Sequence, residues 1–274
     1  ARCHCRALAA KAATGFPNPE PSARRPRQRL TMTPITPRGL EINLAAARPI
    51  DAIGVARTLL RTSRVAMLAT LDPSGHPYAT VTNLIVEADG TPAFFAAGLA
   101  IHCRNLLADP RLSLSLADYA RDVMTTPRLA LSGQAEPVPA DQTDALKARY
   151  LARFPKAKLY LALPDARFFR LRTGAVQLNG GPSRNANDVQ PGDLLTDLSN
   201  AGALMAAAPG LIAGLNAGDT PLRLAARIKA GAGPWRVGGI DPDGVDLIAP
   251  RGLARLWFAQ PVQDPAQFQA ALAG

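Results

Sequence analysis

Three polar side chains open a helix-like segment directly after a short strand-like run. The stretch reads G-L-A-I-H-C-R-N-L-L-A-D-P-R, with His102, Arg104 and Asn105 near the helix start and a D-P pair at its end. The amino end of a helix presents free backbone N–H groups and a partial positive charge. A cation and an amide at such an end suit an anion, so Gly98–Asn105, here called the corner, is predicted to bind a phosphate.

Four further side chains are candidates for contacts with the same ligand. Arg64 offers a second cation at the start of the first strand, or it is only a cation that ends the preceding helix. Thr80 and Thr82 stand two residues apart, which places both hydroxyls on one side of a strand, although threonine is also an ordinary strand residue. Gln134 either reaches the edge of a bound cofactor or only marks a bulge beside Gly133.

These candidates lie on a predicted meander of antiparallel strands. The first strand-like runs, of about seven to nine residues, end in the turns D-P-S-G-H-P and E-A-D-G-T-P. Later runs alternate apolar and polar residues, as in R-L-S-L-S-L-A. The predicted elements are a helix capped by Asp51 and running through Arg61, strands over 64–71, 78–86, 93–97, 111–117, 128–138 and 166–178, and a helix over 139–154.

The sequence pattern changes after a loop rich in Gly, Pro and Asn at 179–192. Residues 198–229 are rich in Ala and Leu and predict two helices interrupted at Pro209-Gly210 and at Gly218. Three short strands over 235–240, 245–248 and 253–258 follow, and a last helix covers 265–272. This order predicts a small α+β module with its own core.

The net charge of +10 is concentrated at the start of the chain. Residues 1–48 carry nine cations and two acids, whereas the remainder carries 22 cations and 19 acids, which disfavours a dedicated nucleic-acid-binding face. The same 48 residues contain scattered prolines and no apolar periodicity, so a disordered basic tail is predicted. Met32 is an alternative start of the protein, in which case residues 1–31 do not belong to it.

Cysteine usage and hydropathy exclude several other classes. Cys103 is the single cysteine of the body, which excludes a disulfide framework there, and it is predicted to be a small core residue. Cys3-His4-Cys5 has too few ligands for a tetrahedral zinc site, so no metal is expected. No run approaches the roughly 18 apolar residues of a membrane span. A cytoplasmic protein that binds neither membranes nor nucleic acid is therefore expected.

Residues from about 50 to 195 resemble the FMN-binding split barrel of the pyridoxamine 5′-phosphate oxidase-like family, in its haem-utilisation branch. The matching pieces are A-T-L-D-P-S-G-H-P-Y-A-T, the corner, R-L-A-L-S-G-Q-A-E-P-V and F-F-R-L…L-N-G-G, in this order and spacing. Residues from about 205 to 274 resemble the small module of that branch through L-N-A-G-D, G-I-D-P-D-G-V-D-L and A-R-L-W-F.

The resemblance implies an α+β protein: a six-stranded antiparallel split barrel over 49–195 and a small α+β domain over 196–274. It also implies a homodimer with one FMN at each edge of the interface, which would make the chain a flavoprotein and an oxidoreductase of undefined substrate. The residues expected to contact FMN are Arg64, Thr80, Thr82, His102, Arg104, Asn105 and Gln134.

Departures from the family pattern keep two other functions open. Ala97 and Cys103 replace a common Ser and Thr, which weakens the corner and allows a cofactor-free barrel that acts as a binding module. Asn216-Ala217-Gly218-Asp219 replaces the usual N-A-D-H, so a histidine is missing at Asp219. A haem-binding protein would then use a non-histidine ligand or His76, whose turn position also suits a solvent-facing imidazole.

Overall fold

A computed structural model of the chain describes residues 50–118, 122–123, 125–181, 185–186 and 188–273. The described residues belong to one compact unit. The predicted tail over 1–48 lies outside them, together with Cys3-His4-Cys5 and Met32. Within the described ranges, no helix is long and apolar enough to cross a lipid bilayer.

Seven strands and the helices between them build the first part of the fold, and six of these strands form a barrel. In chain order the elements are α1 (Ala52–Thr62), β1 (Val65–Leu71), β2 (Pro77–Val86), β3 (Pro92–Ala97), α2 (Ile101–Ala108), β4 (Arg111–Ala117), β5 (Arg128–Pro137), α3 (Thr143–Arg153), α4 (Lys158–Leu161), β6 (Ala166–Asn179) and the two-residue β7 (Asn185–Ala186). The strands pair antiparallel in the order β3-β2-β1-β4-β5-β6, and β3 pairs again with β6. This second pairing closes the sheet, so the predicted six-stranded antiparallel barrel is confirmed.

Local sequence signals explain the elements. The Asp51 carboxylate accepts a hydrogen bond from the Gly54 N–H at 2.9 Å and thereby caps α1. The alternating leucines of β4 are buried in the barrel core. The register of β5 against β6 shifts at Gly133, which confirms a bulge there. A Cβ at Gly133 would lie 2.0 Å from the Arg172 carbonyl oxygen, so only glycine fits this close approach.

The barrel is split between β2 and β3. The two strands pair only where Leu84–Val86 faces Pro92–Phe94, and the end of β3 pairs with β6 instead. The first half of β2 is therefore separated from the end of β3 and from the corner that follows it.

The second part of the fold is a three-stranded sheet with helices. Its elements are α5 (Gly202–Asn216), α6 (Thr220–Arg227), β8 (Arg236–Asp241), β9 (Gly244–Ala249), β10 (Gly252–Trp257) and α7 (Pro265–Ala273). The strand order is β10-β9-β8, and the sheet and helices enclose a separate buried cluster that includes Leu204, Leu247 and Phe268. The predicted small module is present, whereas a domain boundary at residue 195 stays a prediction.

The predicted helix break at Pro209-Gly210 is wrong. Helix α5 continues through Pro209, while the break at Gly218 does separate α5 from α6. Pro209 and Gly210 are exposed, whereas Leu204 and Ala208 are buried in the core of the module. Burial of this apolar side keeps the helix continuous despite the hydrogen bond that proline cannot donate.

A buried ion network joins the barrel helices to the β8–β9 hairpin. Arg61 of α1 lies 3.2 Å from Asp241, and Arg149 of α3 lies 3.6 Å from Asp246. Arg255 of β10 donates to both carboxylates at 2.6 Å. The two aspartates belong to the D-P-D-G-V-D run, so this part of the resemblance has a structural role. The network holds the small module against the barrel.

Candidate functional site

A cavity of about 1040 Å³ lies between the barrel and the small module. Five aromatic side chains contribute to its walls, namely Phe95, Tyr150, Phe154, Tyr160 and Trp235. They come from β3, from α3 and the segment after it, and from the loop before β8. The volume is at the upper end of the range usual for small-molecule sites, so the cavity has room for a large cofactor.

The charges around this cavity are all positive. Its cationic wall residues are Arg64, Arg153, Lys156 and Arg236, and no aspartate or glutamate is among the described residues that form the wall. Cations beside apolar walls attract a ligand that is both apolar and negatively charged. The cavity is therefore suited to an amphiphilic anion.

Arg153 is the most deeply buried of these cations, with 6% of the residue exposed. Its guanidinium donates to the backbone carbonyl oxygens of Leu84 at 3.0 Å and of Ser63 and Arg61 at 3.4 Å. In the part of the chain that the structure describes, it forms no ion pair with a carboxylate. Burial lowers the pKa of Arg153 to about 10. The charge of Asp246 partly offsets this burial, but no described carboxylate lies within hydrogen-bond distance of the guanidinium, which favours an anionic ligand beside it.

Arg64 is also part of the cavity wall. Its guanidinium lies 5.1 Å from the centre of the Phe154 ring and donates to the carbonyl oxygens of Ala249 at 3.3 Å and Arg153 at 3.4 Å. Burial lowers the pKa of Arg64. Among the seven residues predicted to contact FMN, Arg64 is the one that the described cavity wall contains.

Tyr150 places a phenol in the same wall. Its Oη accepts a hydrogen bond from the Asn83 side-chain amide at 3.0 Å, and the residue is 3% exposed. Burial raises the pKa of Tyr150, so the phenol is neutral at pH 7. No hydrogen bond from the phenol to a described acceptor is present, so its proton can be donated to a ligand.

The corner is a separate place with weaker anion-binding groups. His102 is half-buried, and burial lowers the pKa of its imidazole, which is then mostly neutral at pH 7. Asn105 is buried and donates to the Thr70 hydroxyl at 3.0 Å, so its amide supports the fold. Arg104 is exposed. Of the three polar groups predicted to hold a phosphate, Arg104 alone is a free-standing cation at neutral pH.

A carboxylate already contacts the corner. The Leu99 N–H donates to the Asp165 carboxylate at 3.2 Å, and the Gly98 N–H donates to the Asp165 carbonyl oxygen at 3.1 Å. A phosphate at these two amides would meet a like charge. The amides of the first turn of α2 itself are different, because no side chain caps them.

The register of β1 separates Arg64 from the corner. Arg64 precedes β1, whereas the contact from Asn105 reaches Thr70 near the other end of that strand. Six residues of strand span about 20 Å. Within one protomer, Arg64 and His102 therefore do not meet in one phosphate site, contrary to the predicted grouping. The role of each residue in FMN binding stays a prediction.

The remaining predicted contacts face in different directions. Thr80 lies opposite Leu68 and Thr82 lies opposite Ala66, and both partners are fully buried in the barrel. The two threonines thus share one side of β2, but it is the side toward the barrel interior. Gln134 accepts a hydrogen bond from Arg172 at 2.6 Å on the exposed surface.

The other reactive side chains have ordinary surroundings. His76 is exposed in its turn, with its Nδ1 2.9 Å from the Ser74 hydroxyl. Cys103 is fully buried in the barrel core, as predicted. Across the described ranges, no three His, Cys, Asp or Glu side chains cluster as a metal site would require.

Sequence reasoning missed most of the cavity wall. Tyr150 and Arg153 stand three residues apart in α3, and this helical spacing was the available signal that they share a face. No local signal places Trp235 or Arg236 opposite that face, because their approach depends on how the small module packs against the barrel.

Residues 54–180 match the family model for pyridoxamine 5′-phosphate oxidase, a span that covers most of the barrel. A crystal structure of a protein of unknown function from Agrobacterium tumefaciens strain C58 is 50% identical, with a TM-score of 0.79. That similarity covers 87% of this chain and 97% of the other, so barrel and small module are both included. Residues 54–180 of the chain belong to the pyridoxamine 5′-phosphate oxidase family.

Two further proteins to which the chain is similar are named for haem. The chloroplastic heme oxygenase HOZ of Arabidopsis thaliana is 32% identical over 143 residues, which are 52% of this chain and 43% of HOZ. The chain thus spans less than half the length of that curated relative. The structure of a heme binding protein from Mycobacterium smegmatis is 29% identical with a TM-score of 0.50, covering 83% of this chain and 96% of that one.

Proposed function

We propose that this member of the family binds a dicarboxylate tetrapyrrole of the haem class in the cavity between the barrel and the small module. The observation that carries the proposal is the cavity wall, which combines four cations with five aromatic rings and no described carboxylate. Haem has a flat apolar ring and two propionate carboxylates, so each part of it has a complementary surface here. The names of the Arabidopsis and Mycobacterium relatives support the same ligand class.

The residues divide into those that bind the carboxylates and those that bind the ring. Arg64 and Arg153 adjoin each other and can hold carboxylates through charge-assisted hydrogen bonds. Phe95, Phe154 and Trp235 supply apolar surface for the ring and exclude water. Bound haem would supply redox-active iron, and the chain would orient the ring and shield it.

Absorption spectroscopy tests the proposal directly. Adding haemin to the full chain is expected to give a saturable change in the Soret band with a stoichiometry of one haemin per chain. Addition of haemin to buffer at the same concentrations is the baseline. A strictly linear, unsaturated response across the micromolar range would remove haem binding as the function.

FMN binding with oxidoreductase activity is the second candidate, and the corner favours it. Helix α2 starts beside the split of the barrel, its first-turn amides lack a side-chain cap, and Arg104 is exposed there. Uncapped amides at a helix start attract a phosphate. Purified protein with a flavin absorption band, or uptake of FMN in a fluorescence titration, would support it. If the protein shows neither the absorption band nor uptake of FMN, FMN binding is excluded as its function.

A homodimer is proposed for either ligand. Met67 of β1 and Val81 of β2 are cross-strand partners that are both exposed on the outside of the barrel. The side chains beside them on this face are small and uncharged, namely Ala69, Ala79, Ser113, Ser115, Ala130 and Ser132. A smooth uncharged face of this kind suits contact with the same face of a second copy. Light scattering of the full chain measures the oligomeric state.

A further inference from the structure

We infer that the cavity recognises a tetrapyrrole by its carboxylates and ring faces and not by its metal, so that a metal-free porphyrin with free carboxylates binds as tightly as haem. The inference rests on the proposed function and defines its ligand class more closely. Three properties of the cavity wall support it: the set of possible metal ligands, the position of the cations, and the arrangement of the aromatic rings.

The wall offers poor ligands for iron. None of its described residues is a histidine, cysteine or methionine, so of the usual axial ligand types of haem the described wall holds only the tyrosines Tyr150 and Tyr160. The Tyr150 oxygen already accepts a hydrogen bond from Asn83, and its burial opposes the phenolate that a ferric ion prefers. Tyr160 is 62% exposed on the short helix α4. Neither phenol therefore has surroundings that favour its binding to iron as an axial ligand.

The arginines of the wall, in contrast, are placed to bind carboxylate groups. Arg153 is nearly fully buried and its guanidinium donates to backbone carbonyls, with no carboxylate paired to it anywhere in the described ranges. Arg64 adjoins it, and the two positive charges repel each other. A dianion beside the two guanidinium groups would relieve this repulsion and form charge-assisted hydrogen bonds with them. The carboxylates of the ligand are therefore expected to contribute more to its affinity than the metal at the centre of its ring.

The aromatic rings of the wall contact one another or are held by a hydrogen bond. Tyr150 lies 5.9 Å from Phe95 and 5.0 Å from Phe154 between ring centres. Trp235, on the module side of the cavity, is held by a hydrogen bond from its Nε1 to the Gly231 carbonyl oxygen at 2.9 Å. Rigid aromatic surfaces bind a flat ring by stacking and by burial of apolar area, and neither contribution requires a metal.

The test compares three ligands on the full chain by absorption titration: haemin, metal-free protoporphyrin IX, and the dimethyl ester of that porphyrin, in which both carboxylates are blocked. The expected result is that haemin and protoporphyrin IX have dissociation constants within tenfold of each other, while the ester binds at least tenfold more weakly. Haemin binding tenfold or more tightly than protoporphyrin IX would overturn the inference and leave haem binding standing. Equal affinity of the ester would also overturn it. If none of the three binds, the proposed function falls as well.

Two matched variants separate a metal contact from a packing contact. For Tyr150→Phe and Tyr160→Phe, any change in affinity is expected to be the same for haemin and protoporphyrin IX, and the haemin Soret maximum is expected to stay in place. A variant that weakens haemin alone, or that shifts its Soret maximum, would identify a phenol bound to iron and contradict the inference. Protoporphyrin IX affinity also reports whether the cavity of each variant is intact.

Discussion

The Arg255 guanidinium donates to the Asp246 carboxylate at 2.6 Å, and both side chains are buried between the small module and the barrel. Burial acts to raise the pKa of Asp246, but the charges of Arg255, Arg61 and Arg149 outweigh it and lower the pKa to about 2. Asp246 also lies 3.6 Å from Arg149 and 3.9 Å from Arg61 of the barrel helices, so its ionisation links the acid stability of the protein to the contact between its two parts.

The protein is expected to lose stability as the pH falls from about 4 to about 2. The pKa of Asp246 is lower in the folded than in the unfolded state, so its stabilising effect is present above the unfolded value and is lost toward the folded value. The expected loss from this group is on the order of 2 kcal/mol. Urea unfolding at a series of pH values measures it.

Asp246→Asn is the control for this pH dependence. The variant is expected to be less stable at pH 7 by about 3–5 kcal/mol, since it leaves buried arginines without a carboxylate partner. It should also lose the part of the acid dependence that Asp246 contributes. An unchanged slope of stability against pH in this variant would assign the acid sensitivity to other carboxylates.

Replacement of Arg153 by methionine is expected to weaken haemin binding by roughly tenfold to a hundredfold. The reason is the loss of a charge-assisted hydrogen bond, which contributes about 1.5–3 kcal/mol. Arg104→Met removes an exposed cation of the corner and should leave haemin affinity unchanged. Circular dichroism confirms that each variant is folded. If Arg104→Met weakened haemin binding and Arg153→Met did not, haemin would bind at the corner.

If FMN binds at the corner, its affinity for the unmodified chain relative to His102→Ala is expected to rise as the pH falls below neutral. Burial lowers the pKa of His102, so its imidazole is neutral at pH 8 and gains a proton only at acid pH, when it attracts a phosphate. His102→Ala should bind FMN more weakly by about 1–3 kcal/mol at acid pH. The phosphate titrates in both proteins, so the difference between them isolates the imidazole. If the FMN affinities of the two proteins changed with pH in the same way, the phosphate would bind at another place.

Val81→Asp is expected to shift the protein from dimer to monomer. Val81 is 57% exposed on the smooth outer face of the barrel, and a charge buried there in a dimer would lack a partner. Ile53→Asp, at a 44% exposed position on α1, is the matched control and should leave the mass unchanged. Light scattering at several concentrations gives the mass. A monomeric unmodified chain, or a dimeric Val81→Asp variant, would locate the contact on another face or exclude it.

Elements specified by local signals were predictable from the sequence. The Asp51 cap, the alternating leucines of β4 and the bulge at Gly133 each depend on a few neighbouring residues. The helix break at Pro209 was predicted by the same local reasoning and was wrong, since burial of Leu204 against the module core outweighs a local break. Local sequence signals therefore predict the strands well. They fail where the burial of apolar side chains stabilises an element more than the local propensity of its residues destabilises it.

By itself, the sequence indicated the positions of the strands along the chain, the presence of the small module and a polar helix start after β3. Only the tertiary structure decided which cations meet. Arg64 adjoins Arg153 in the cavity wall and lies away from His102, because β1 runs the length of the barrel between the two places. The set of side chains that share a cavity depends on the strand register and on how the small module packs against the barrel. Neither property can be predicted from the spacing of residues along the chain.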